Sequence, residues 1–431
     1  MEKFVIQGGT PLSGELTVAG NKNAALPILA ACLLTEEELL LHRVPRIRDT
    51  EAQIALLEQL GVEVEWVADN SVRLCARSIE NPEVDEELSR RIRASFLLAG
   101  PLLARFGEAR MPPPGGDFIG RRRLDAHLDA FRDLGARVDG NRWIELTAPN
   151  GLSACEIFMD EPSVMGTENA LMAAALTPGA TKIANAASEP HVQDLAHLLT
   201  QMGARVEGIG SNVMTVHGAE NLGGAEYSIS CDHIEVGSFM ALAAATGGEL
   251  RIRDVNPKDL TMVRRQFKRL GLRSEIEDSD LLVPSGQDLR VEADLGDAIP
   301  KIEDGPWPAF PADLTSIALA LATQATGEVL IFEKMFENRL FFVDKLVAMG
   351  ARITLCDPHR AIVSGPSRLH GEQVESPDIR AGMAILIAAL AAEGTSEIGN
   401  IRQIDRGYER IDERLRALGA QIERVSAEVP A

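Results

Sequence analysis

Basic residues stand at the starts of several alanine-rich apolar segments, where packing alone gives no reason for a charge. Lys22, Arg93 and Arg380 each occupy such a position. Because the N-terminal end of an α-helix already carries a partial positive charge, a cation there is unfavourable unless an anion is bound beside it. The pattern predicts a site that binds more than one anionic group.

Aspartates stand at the starts of three apolar segments, at Asp232, Asp313 and Asp378. A carboxylate in this position commonly caps a helix by accepting hydrogen bonds from its first backbone N–H groups. That ordinary explanation is open for each of the three. A chemical role for any of them depends on the cations that surround it.

A second local signal is a loop rich in proline, glycine and arginine. It runs from Pro112 through Gly115 and Gly116 to Asp117, and then to the basic run 121–123. One carboxylate beside three arginines on a hinged segment is typical of a loop that closes over an anionic substrate. Taken alone, the same composition also fits a solvated surface turn.

A repeated phrase shows which elements must position these residues. Leucine or methionine followed by glycine and a short, mostly β-branched stretch occurs six times, with the glycines at positions 61, 135, 203, 271, 350 and 419. Each phrase ends an amphipathic segment, as in 194–203, and glycine is the residue that most readily ends a helix. Strand-forming residues and turn residues follow. The repeat therefore predicts a helix and then a β-hairpin, six times over.

Each repeat also holds an apolar segment that predicts a helix buried on all sides. The six segments are 24–34, 94–104, 168–176, 237–245, 314–323 and 381–392. At 431 residues the chain divides naturally into two domains of three repeats each, an α/β class with buried helices inside and sheets outside. A dinucleotide-binding fold is excluded because no GxGxxG follows a predicted strand.

Composition limits the kinds of molecule that the protein is expected to bind and the cellular compartment in which it is expected to work. The formal net charge of −21 argues against nucleic acid or an anionic membrane as the main partner. The amino terminus lacks a signal-peptide core, and the longest apolar run, 381–392, is too short to span a bilayer. Five scattered cysteines without CxxC spacing favour a reducing cytoplasm over disulfides or a zinc site.

Five segments are specific enough to indicate a family. They are Gly20-Asn21-Lys22-Asn23-Ala24-Ala25-Leu26-Pro27, residues 114–120, residues 308–313, Phe336-Glu337-Asn338-Arg339 and residues 404–410. In these segments, and over essentially its whole length, the chain resembles the UDP-N-acetylglucosamine enolpyruvyl transferases. The related shikimate-pathway synthases are expected to have serine or threonine after the first lysine, so Lys22-Asn23 argues against them.

The resemblance implies a fold similar to the one that the repeats predict, with two inside-out α/β barrel-like domains of three units each. One domain would span 22–231 and carry the catalytic loop, at about 111–123. The other would combine 1–21 with 232–431, and the active site would lie in the cleft between the domains.

The reaction that the resemblance implies is transfer of the enolpyruvyl group of phosphoenolpyruvate to the 3'-hydroxyl of UDP-N-acetylglucosamine, with release of phosphate. This is the first committed step of peptidoglycan synthesis and so bears on cell-wall biogenesis, cell shape and division. Addition and elimination through a tetrahedral ketal need cations, a proton donor for carbon C3 and a base for the hydroxyl. No metal or other cofactor is expected.

The resemblance also assigns roles to individual residues. Those matching the phosphoenolpyruvate-binding cations are Lys22, Arg122 and Arg406, with Arg380 and Arg339 adding charge. Those matching positions that hold the UDP-sugar are Asn23, Arg93, Asp313 and Met335. The uridine would lie along Arg122, Arg123, Leu124, Asp125 and Ala126, and along Glu161, Pro162, Ser163 and Val164. The catalytic group would be Asp117, Asp313, Lys22 and Arg406, with Asp313 orienting or deprotonating the 3'-hydroxyl.

Asp117 is the main departure from the family pattern, because most members have cysteine at this loop position. A carboxylic acid can donate the proton only while it is protonated, and burial beside anionic phosphoenolpyruvate favours that form. The exchange is also expected to block fosfomycin, whose epoxide is opened by a thiolate, because a carboxylate is a weaker nucleophile at carbon. Smaller departures are Glu161 for lysine, Ala312 for threonine and Arg123 for proline.

Three alternatives compete with this interpretation. A paralogue with the same chemistry and another hydroxyl acceptor would keep Lys22, Asp117 and Arg406. A non-enzymatic UDP-sugar-binding regulator would not need the complete set of cations and carboxylates. A purely structural repeat protein would have no cations at buried helix starts.

Overall fold

The computed structural model describes residues 2–79, 82–117, 119–140 and 142–426. These residues form two compact units. The insert unit comprises the described residues from 20 to 117 and from 122 to 230, and the terminal unit comprises residues 2–19, 119–121 and 231–426. Residues 119–121, which belong to the predicted proline- and glycine-rich loop, thus fall in the terminal unit.

The helices vary from one turn to four turns in length. In chain order they are α1 Lys22–Ala30, α2 Arg48–Leu60, α3 Glu86–Ser89, α4 Ala99–Phe106, α5 Asp125–Asp133, α6 Val164–Ala175, α7 Pro190–Gln201, α8 His233–Thr246, α9 Thr261–Lys268, α10 Thr315–Ala322, α11 Val343–Ala348, α12 Ile379–Ala391 and α13 Ile411–Ala417. Short 3₁₀ helices cover Ala31–Leu34, Arg93–Leu98, Ala312–Leu314, Arg339–Phe342 and Ile401–Arg406.

The strands are short, as expected for sheets built from hairpins. In chain order they are β1 Glu2–Gln7, β2 Gly14–Thr17, β3 Glu38–His42, β4 Glu63–Ala68, β5 Ser71–Cys75, β6 Glu108–Met111, β7 Arg137–Asp139, β8 Ile144–Thr147, β9 Glu156–Phe158, β10 Gly179–Ala184, β11 Arg205–Glu207, β12 Val213–Gly218, β13 Ala225–Ser228, β14 Leu250–Arg253, β15 Glu275–Glu277, β16 Asp280–Val283, β17 Lys301–Glu303, β18 Gly327–Phe332, β19 Ile353–Asp357, β20 Arg360–Gly365, β21 Gln373–Glu375, β22 Thr395–Gly399 and β23 Gln421–Ser426.

Each unit contains three small sheets within its described residues; five of the six are mixed, and β6-β8-β7 is antiparallel. In the insert unit the strand orders are β13-β3-β5-β4, β6-β8-β7 and β11-β12-β10-β9. In the terminal unit they are β21-β22-β1-β23, β15-β16-β14-β2 and β17-β18-β20-β19. In each four-stranded sheet a parallel pair is extended by two further strands that pair antiparallel. For example, the parallel pair of β17 and β18 is extended by β20 and then β19. Sheet and repeat therefore correspond one to one.

The apolar segments of the sequence form the buried helices of the two cores. Helices α1, α4 and α6 contribute to the core of the insert unit, and α8, α10 and α12 to that of the terminal unit. The α/β class that the repeats predict is confirmed. Two of the helices begin four residues earlier than predicted, α6 at Val164 instead of 168 and α8 at His233 instead of 237. The sequence pattern missed these first residues because buried polar side chains such as Glu168 and Glu235 interrupt the apolar run.

The repeated glycines end the amphipathic helices, as predicted. Gly61, Gly135, Gly203, Gly271, Gly350 and Gly419 all have φ between +85° and +115°. A side chain with a Cβ atom is strained in this region, whereas glycine enters it freely. The phrase is thus a helix stop that also turns the chain toward the next strand.

The described residues contain neither a candidate membrane-spanning helix nor a candidate metal-binding cluster. None of the helices there is both long enough and apolar enough to cross a bilayer. Nor do those residues contain a group of three or more histidine, cysteine, aspartate or glutamate side chains that could hold a metal ion.

Candidate active site

Lys22 is the first residue of α1 and is buried against a carboxylate. Its Nζ lies 2.9 Å from Oδ2 of Asp49 in α2. The cap of α1 is Asn21, whose side chain accepts hydrogen bonds from the backbone N–H groups of Asn23 and Ala24. Helix capping and charge compensation are therefore separate here, and Asp49 offsets the unfavourable placement of a lysine at a helix start.

The proline- and glycine-rich loop runs closely along the segment that contains Arg93. The backbone N–H of Gly115 donates to the carbonyl of Ser89, and a Cβ atom at Gly115 would lie 1.8 Å from the carbonyl oxygen of Arg90. Gly116 has φ +104°, and a Cβ atom there would lie 2.8 Å from that of Arg93. Only glycine permits this close approach. The next residue, Asp117, is half-buried.

Arg93 begins a 3₁₀ helix and ties it to the predicted uridine-binding segment. Its guanidinium donates to the backbone carbonyls of Arg122 and Arg123. Burial, together with the charge of Arg122, lowers the pKa of Arg93 to about 10. Arg93 is thus placed to fix the course of the chain just ahead of α5.

The two segments predicted to hold uridine lie side by side in the insert unit. Leu124 is the N-cap position of α5, and Asp125 and Ala126 form its first turn. Ser163 caps α6 through the backbone N–H of Gly166, and a Cβ atom at Gly166 would lie 3.4 Å from that of Ala126. The remaining residues of these segments, Arg122, Arg123, Glu161, Pro162 and Val164, are exposed or half-buried. Asp125 forms an exposed ion pair with Arg123, which lowers the pKa of the Asp125 carboxyl.

A buried histidine, not singled out from the sequence, connects these elements. The Asn169 amide nitrogen donates to Nδ1 of His127 and to the carbonyl of Phe96, and its oxygen accepts from the N–H of Gly100. His127 is therefore neutral with its hydrogen on Nε2. Burial, assisted by the charge of Arg93, lowers its pKa to about 3.

In the terminal unit, one carboxylate bridges two buried arginines. Asp313 Oδ1 lies 3.0 Å from the guanidinium of Arg339, and Oδ2 lies 3.0 Å from that of Arg380. The side chain of Asp313 is 26% exposed, whereas those of Arg339 and Arg380 are 3% and 4% exposed. A carboxylate held in this way keeps a fixed orientation while one face remains open to a ligand.

Arg380 stays charged despite complete burial. Burial works against its charge, but Asp313 and the Tyr408 hydroxyl offset this and raise its pKa. Its Nη1 lies 3.3 Å from the Tyr408 oxygen, which is in turn 2.9 Å from Oγ of Ser238 in α8. These contacts thus link the Ser238 side chain in α8 with Asp313 just ahead of α10 and with Arg380 at the start of α12.

The ordinary capping explanation holds for two of the three aspartates. Asp232 accepts from the N–H groups of Ile234 and Glu235, and Asp378 from those of Arg380 and Ala381. Asp313 differs, because the N-cap position of α10 is Leu314. The carboxylate of Asp313 is instead engaged by the two arginines.

The last two predicted residues lie near this cluster within the terminal unit. Arg406 ends a 3₁₀ helix and donates to Oε1 of Gln403. A Cβ atom at the following Gly407 would lie 2.4 Å from Cγ2 of Ile379, so the Arg406 segment packs on the start of α12. Met335 is 37% exposed and precedes Arg339 in the same connection.

The amino-acid sequence is similar to those of known enolpyruvyl transferases over nearly its whole length. The family model described as EPSP synthase (3-phosphoshikimate 1-carboxyvinyltransferase) matches residues 6–415. A UDP-N-acetylglucosamine 1-carboxyvinyltransferase from Bradyrhizobium diazoefficiens is 57% identical, with 98% of each chain covered. Its counterpart from Treponema denticola is 52% identical, covering 98% of this chain and 99% of that one.

Solved structures support the same fold. The enolpyruvyl transferase NikO from Streptomyces tendae has a TM-score of 0.88 at 24% identity, with 99% of each chain covered. An EPSP synthase from Acinetobacter baumannii has a TM-score of 0.76 at 19% identity, covering 99% of this chain and 100% of that one. The far higher identity to the UDP-N-acetylglucosamine enzymes agrees with the prediction drawn from Lys22-Asn23. The chain belongs to the UDP-N-acetylglucosamine 1-carboxyvinyltransferases, within the wider family of enolpyruvyl transferases.

Proposed function

We propose that this chain transfers the enolpyruvyl group of phosphoenolpyruvate to the 3'-hydroxyl of UDP-N-acetylglucosamine and releases phosphate. The observation that carries the proposal is the Asp313 carboxylate, partly exposed and fixed between buried Arg339 and Arg380. This arrangement supplies a base for the hydroxyl and cations for an anionic reactant in one cluster. The full-length identity to enzymes of this name supports the choice of acceptor.

In this reaction the cations bind the phosphate and carboxylate of phosphoenolpyruvate. Lys22 and Arg122 contribute from the insert unit, and Arg380 and Arg406 from the terminal unit. Asn23, Arg93 and Met335 hold the UDP-sugar, and the paired segments 122–126 and 161–164 hold the uridine. The proposal requires the residues of the insert unit and those of the terminal unit to serve one active site.

Asp117 donates the proton to carbon C3, and Asp313 accepts the proton of the 3'-hydroxyl. The loop position of Asp117, directly after two glycines, lets the carboxyl group reach the reactants when the loop moves. We also propose that the enzyme is insensitive to fosfomycin, because this position lacks the thiolate that opens the epoxide. The reaction needs no metal or other cofactor and takes place in the cytoplasm, with small molecules as partners.

The test is phosphate release from phosphoenolpyruvate, with and without UDP-N-acetylglucosamine, for the wild type and for Asp117→Asn. Release that requires the sugar nucleotide and is lost in the variant supports both the reaction and the proton donor. The exposed Asp129→Asn is the matched control, because Asp129 pairs only with solvent-exposed Arg132 among the described residues. It is expected to retain activity.

Two results contradict the proposal. Wild-type protein that binds UDP-N-acetylglucosamine but releases no phosphate would favour another acceptor or a regulatory role. Full activity in Asp117→Asn would exclude Asp117 as the proton donor while leaving the transfer reaction in place.

A further inference from the structure

Two buried carboxyl groups lie side by side at the ends of neighbouring strands in the terminal unit. Strands β17 and β18 are parallel, with Glu303 opposite Phe332. Asp304 directly follows β17 and Glu333 directly follows β18, so the two residues lie at the same edge of the sheet. Asp304 is 1% exposed and Glu333 is fully buried.

The two carboxyl groups together bind three successive backbone N–H groups. Asp304 accepts hydrogen bonds from Lys334 at 2.5 Å and from Met335 at 3.3 Å. Oε1 of Glu333 accepts from Phe336 at 3.1 Å. The segment 334–336 thus receives its hydrogen bonds from side chains at a point where a strand ladder has ended.

The backbone of Glu333 is fixed from the opposite side by a turn. Its N–H donates to the carbonyl of His359, and its own carbonyl accepts from Nδ1 of His359 at 2.7 Å. The turn therefore fixes the backbone position from which the Glu333 side chain projects toward Asp304. The arrangement is built into the sheet.

The two cations beside the pair, Lys334 and Arg339, each also bind another carboxylate. Lys334 directs its Nζ to Glu303 at 3.5 Å, and Arg339 is bound to Asp313. Oε2 of Glu333 is buried and finds no hydrogen-bond partner among the described residues. A buried oxygen in this setting favours a proton over a negative charge. Burial raises the pKa of Glu333 to about 9; Arg339 opposes this and Asp304 adds to it.

We propose that Asp304 and Glu333 hold one proton between them and act as a positioning pair for the segment 334–336. This segment carries Met335 and leads into Arg339, so the inference rests on the proposed function for its effect on the sugar nucleotide. Asp304 is the anion that accepts two N–H groups, and Glu333 is the neutral acid. When Glu333 loses its proton, two negative charges share one dry site and the hold on the segment weakens.

The groups that face Glu333 come from every element around it. They are Asp304 after β17, Arg339 in the following 3₁₀ helix, Thr315 in α10 and His359 in the turn before β20. Arg339 favours the ionised form of Glu333, and Asp304 opposes it. The two hydrogen bonds between His359 and Glu333 both involve backbone atoms of Glu333.

The test is amide hydrogen exchange of residues 334–336 in the substrate-free enzyme, expressed as protection relative to the intrinsic rate. From pH 7 to pH 10 the wild type is expected to lose protection by about tenfold or more, with its midpoint near the titration of Glu333. Glu333→Gln, which mimics the neutral acid, is expected to keep the protection and to remove its pH dependence. Glu328→Gln is the matched control, because Glu328 is exposed on β18 and its carboxylate accepts from the Ser364 hydroxyl, and it is expected to follow the wild type.

A kinetic test measures phosphate release for the wild type, for Glu333→Gln and for a further variant, Asp304→Ala. Asp304→Ala is expected to raise the KM for UDP-N-acetylglucosamine by about tenfold with a much smaller change in kcat, since it loosens a binding segment. In the wild type the same KM is expected to rise above pH 9, and in Glu333→Gln to stay level.

Loss of protection at pH 7 in Glu333→Gln, or protection in the wild type that does not change with pH, would overturn the shared proton. Unchanged KM in Asp304→Ala, in the presence of activity, would overturn the positioning role. Absence of the reaction itself would refute the proposed function alone, because the exchange measurement needs no substrate. Wild-type exchange also gives an answer if Asp304→Ala does not fold.

Discussion

Nζ of Lys22 and Oδ2 of Asp49 lie 2.9 Å apart, with both side chains less than one-tenth exposed. The lysine therefore has an internal counterion that an incoming phosphate must compete with or share. Removing the charge of Asp49 is expected to destabilise the substrate-free protein by about 3 kcal/mol, because it weakens a buried ion pair from one side.

Asp49→Asn tests this relationship through ligand-dependent stability. We expect a lower melting temperature than in the wild type and a larger upward shift on addition of phosphoenolpyruvate, which replaces the lost negative charge. Differential scanning calorimetry with and without ligand measures both. Equal melting temperatures for variant and wild type without ligand would show that the pair adds no stability.

Asp117→Cys is expected to make the enzyme sensitive to fosfomycin. A thiol at this loop position can form the thiolate that opens the epoxide, whereas a carboxylate reacts poorly at carbon. Intact-protein mass spectrometry should show a covalent adduct on the variant and none on the wild type. An adduct on wild-type Asp117 would contradict the proposed insensitivity.

Asp313→Asn is expected to lower kcat by a factor of about a hundred to ten thousand, the usual contribution of a general base. The amide oxygen can still accept from one of the two arginines, whereas its NH₂ group cannot accept from the other. Because both cations remain, binding of phosphoenolpyruvate should change less than turnover. Single-turnover kinetics separate the two effects. Asp344→Asn, in an exposed pair with Lys345, is the control; a loss there equal to that in Asp313→Asn would point to a general defect.

His127 should make stability depend on pH in the acidic range. Its pKa falls from 6.5 to about 3 on folding, so the unfolded chain binds the proton more tightly. Its contribution is complete above pH 6.5 and is lost at about 1.4 kcal/mol per pH unit as the pH falls toward 3.

Urea unfolding of His127→Gln between pH 4 and pH 7 measures this contribution. The variant should show a flatter pH dependence than the wild type, whereas exposed His197→Gln should not. Parallel curves for the wild type and His127→Gln would contradict the expectation.

Gly203→Ala is expected to cost about 1 kcal/mol of stability through backbone strain. Gly203 has φ +115° and no other atom within 4 Å of a Cβ position, so a steric clash plays no part. Gly223→Ala is the control, since a Cβ atom there would sit 3.6 Å from its nearest neighbour without a left-handed φ. Equal free energies of unfolding for the two variants would show that the helix stop does not depend on glycine.

The repeat, the buried helices and their glycine stops could be predicted because each has a local cause, apolar periodicity or a backbone angle that glycine favours. The cations at Lys22 and Arg380 stood out because they oppose the helix dipole. Asp49, Asn169 and Glu333 could not be found in this way. Their importance comes from partners that are distant in the chain, and nothing in the flanking residues of Glu333 indicates that Asp304 lies beside it.

The pairing of β1 has a consequence for the order in which the chain folds during synthesis. Val5 pairs with Glu397 in β22 on one side and with Glu423 in β23 on the other. The first strand to be synthesised therefore cannot pair until the last two strands have been made. The insert unit has no such dependence, since its sheets are built from residues before 230. On the ribosome, residues 20–230 can therefore reach their native pairing early, while the amino-terminal strand remains an unpaired edge until translation is almost complete.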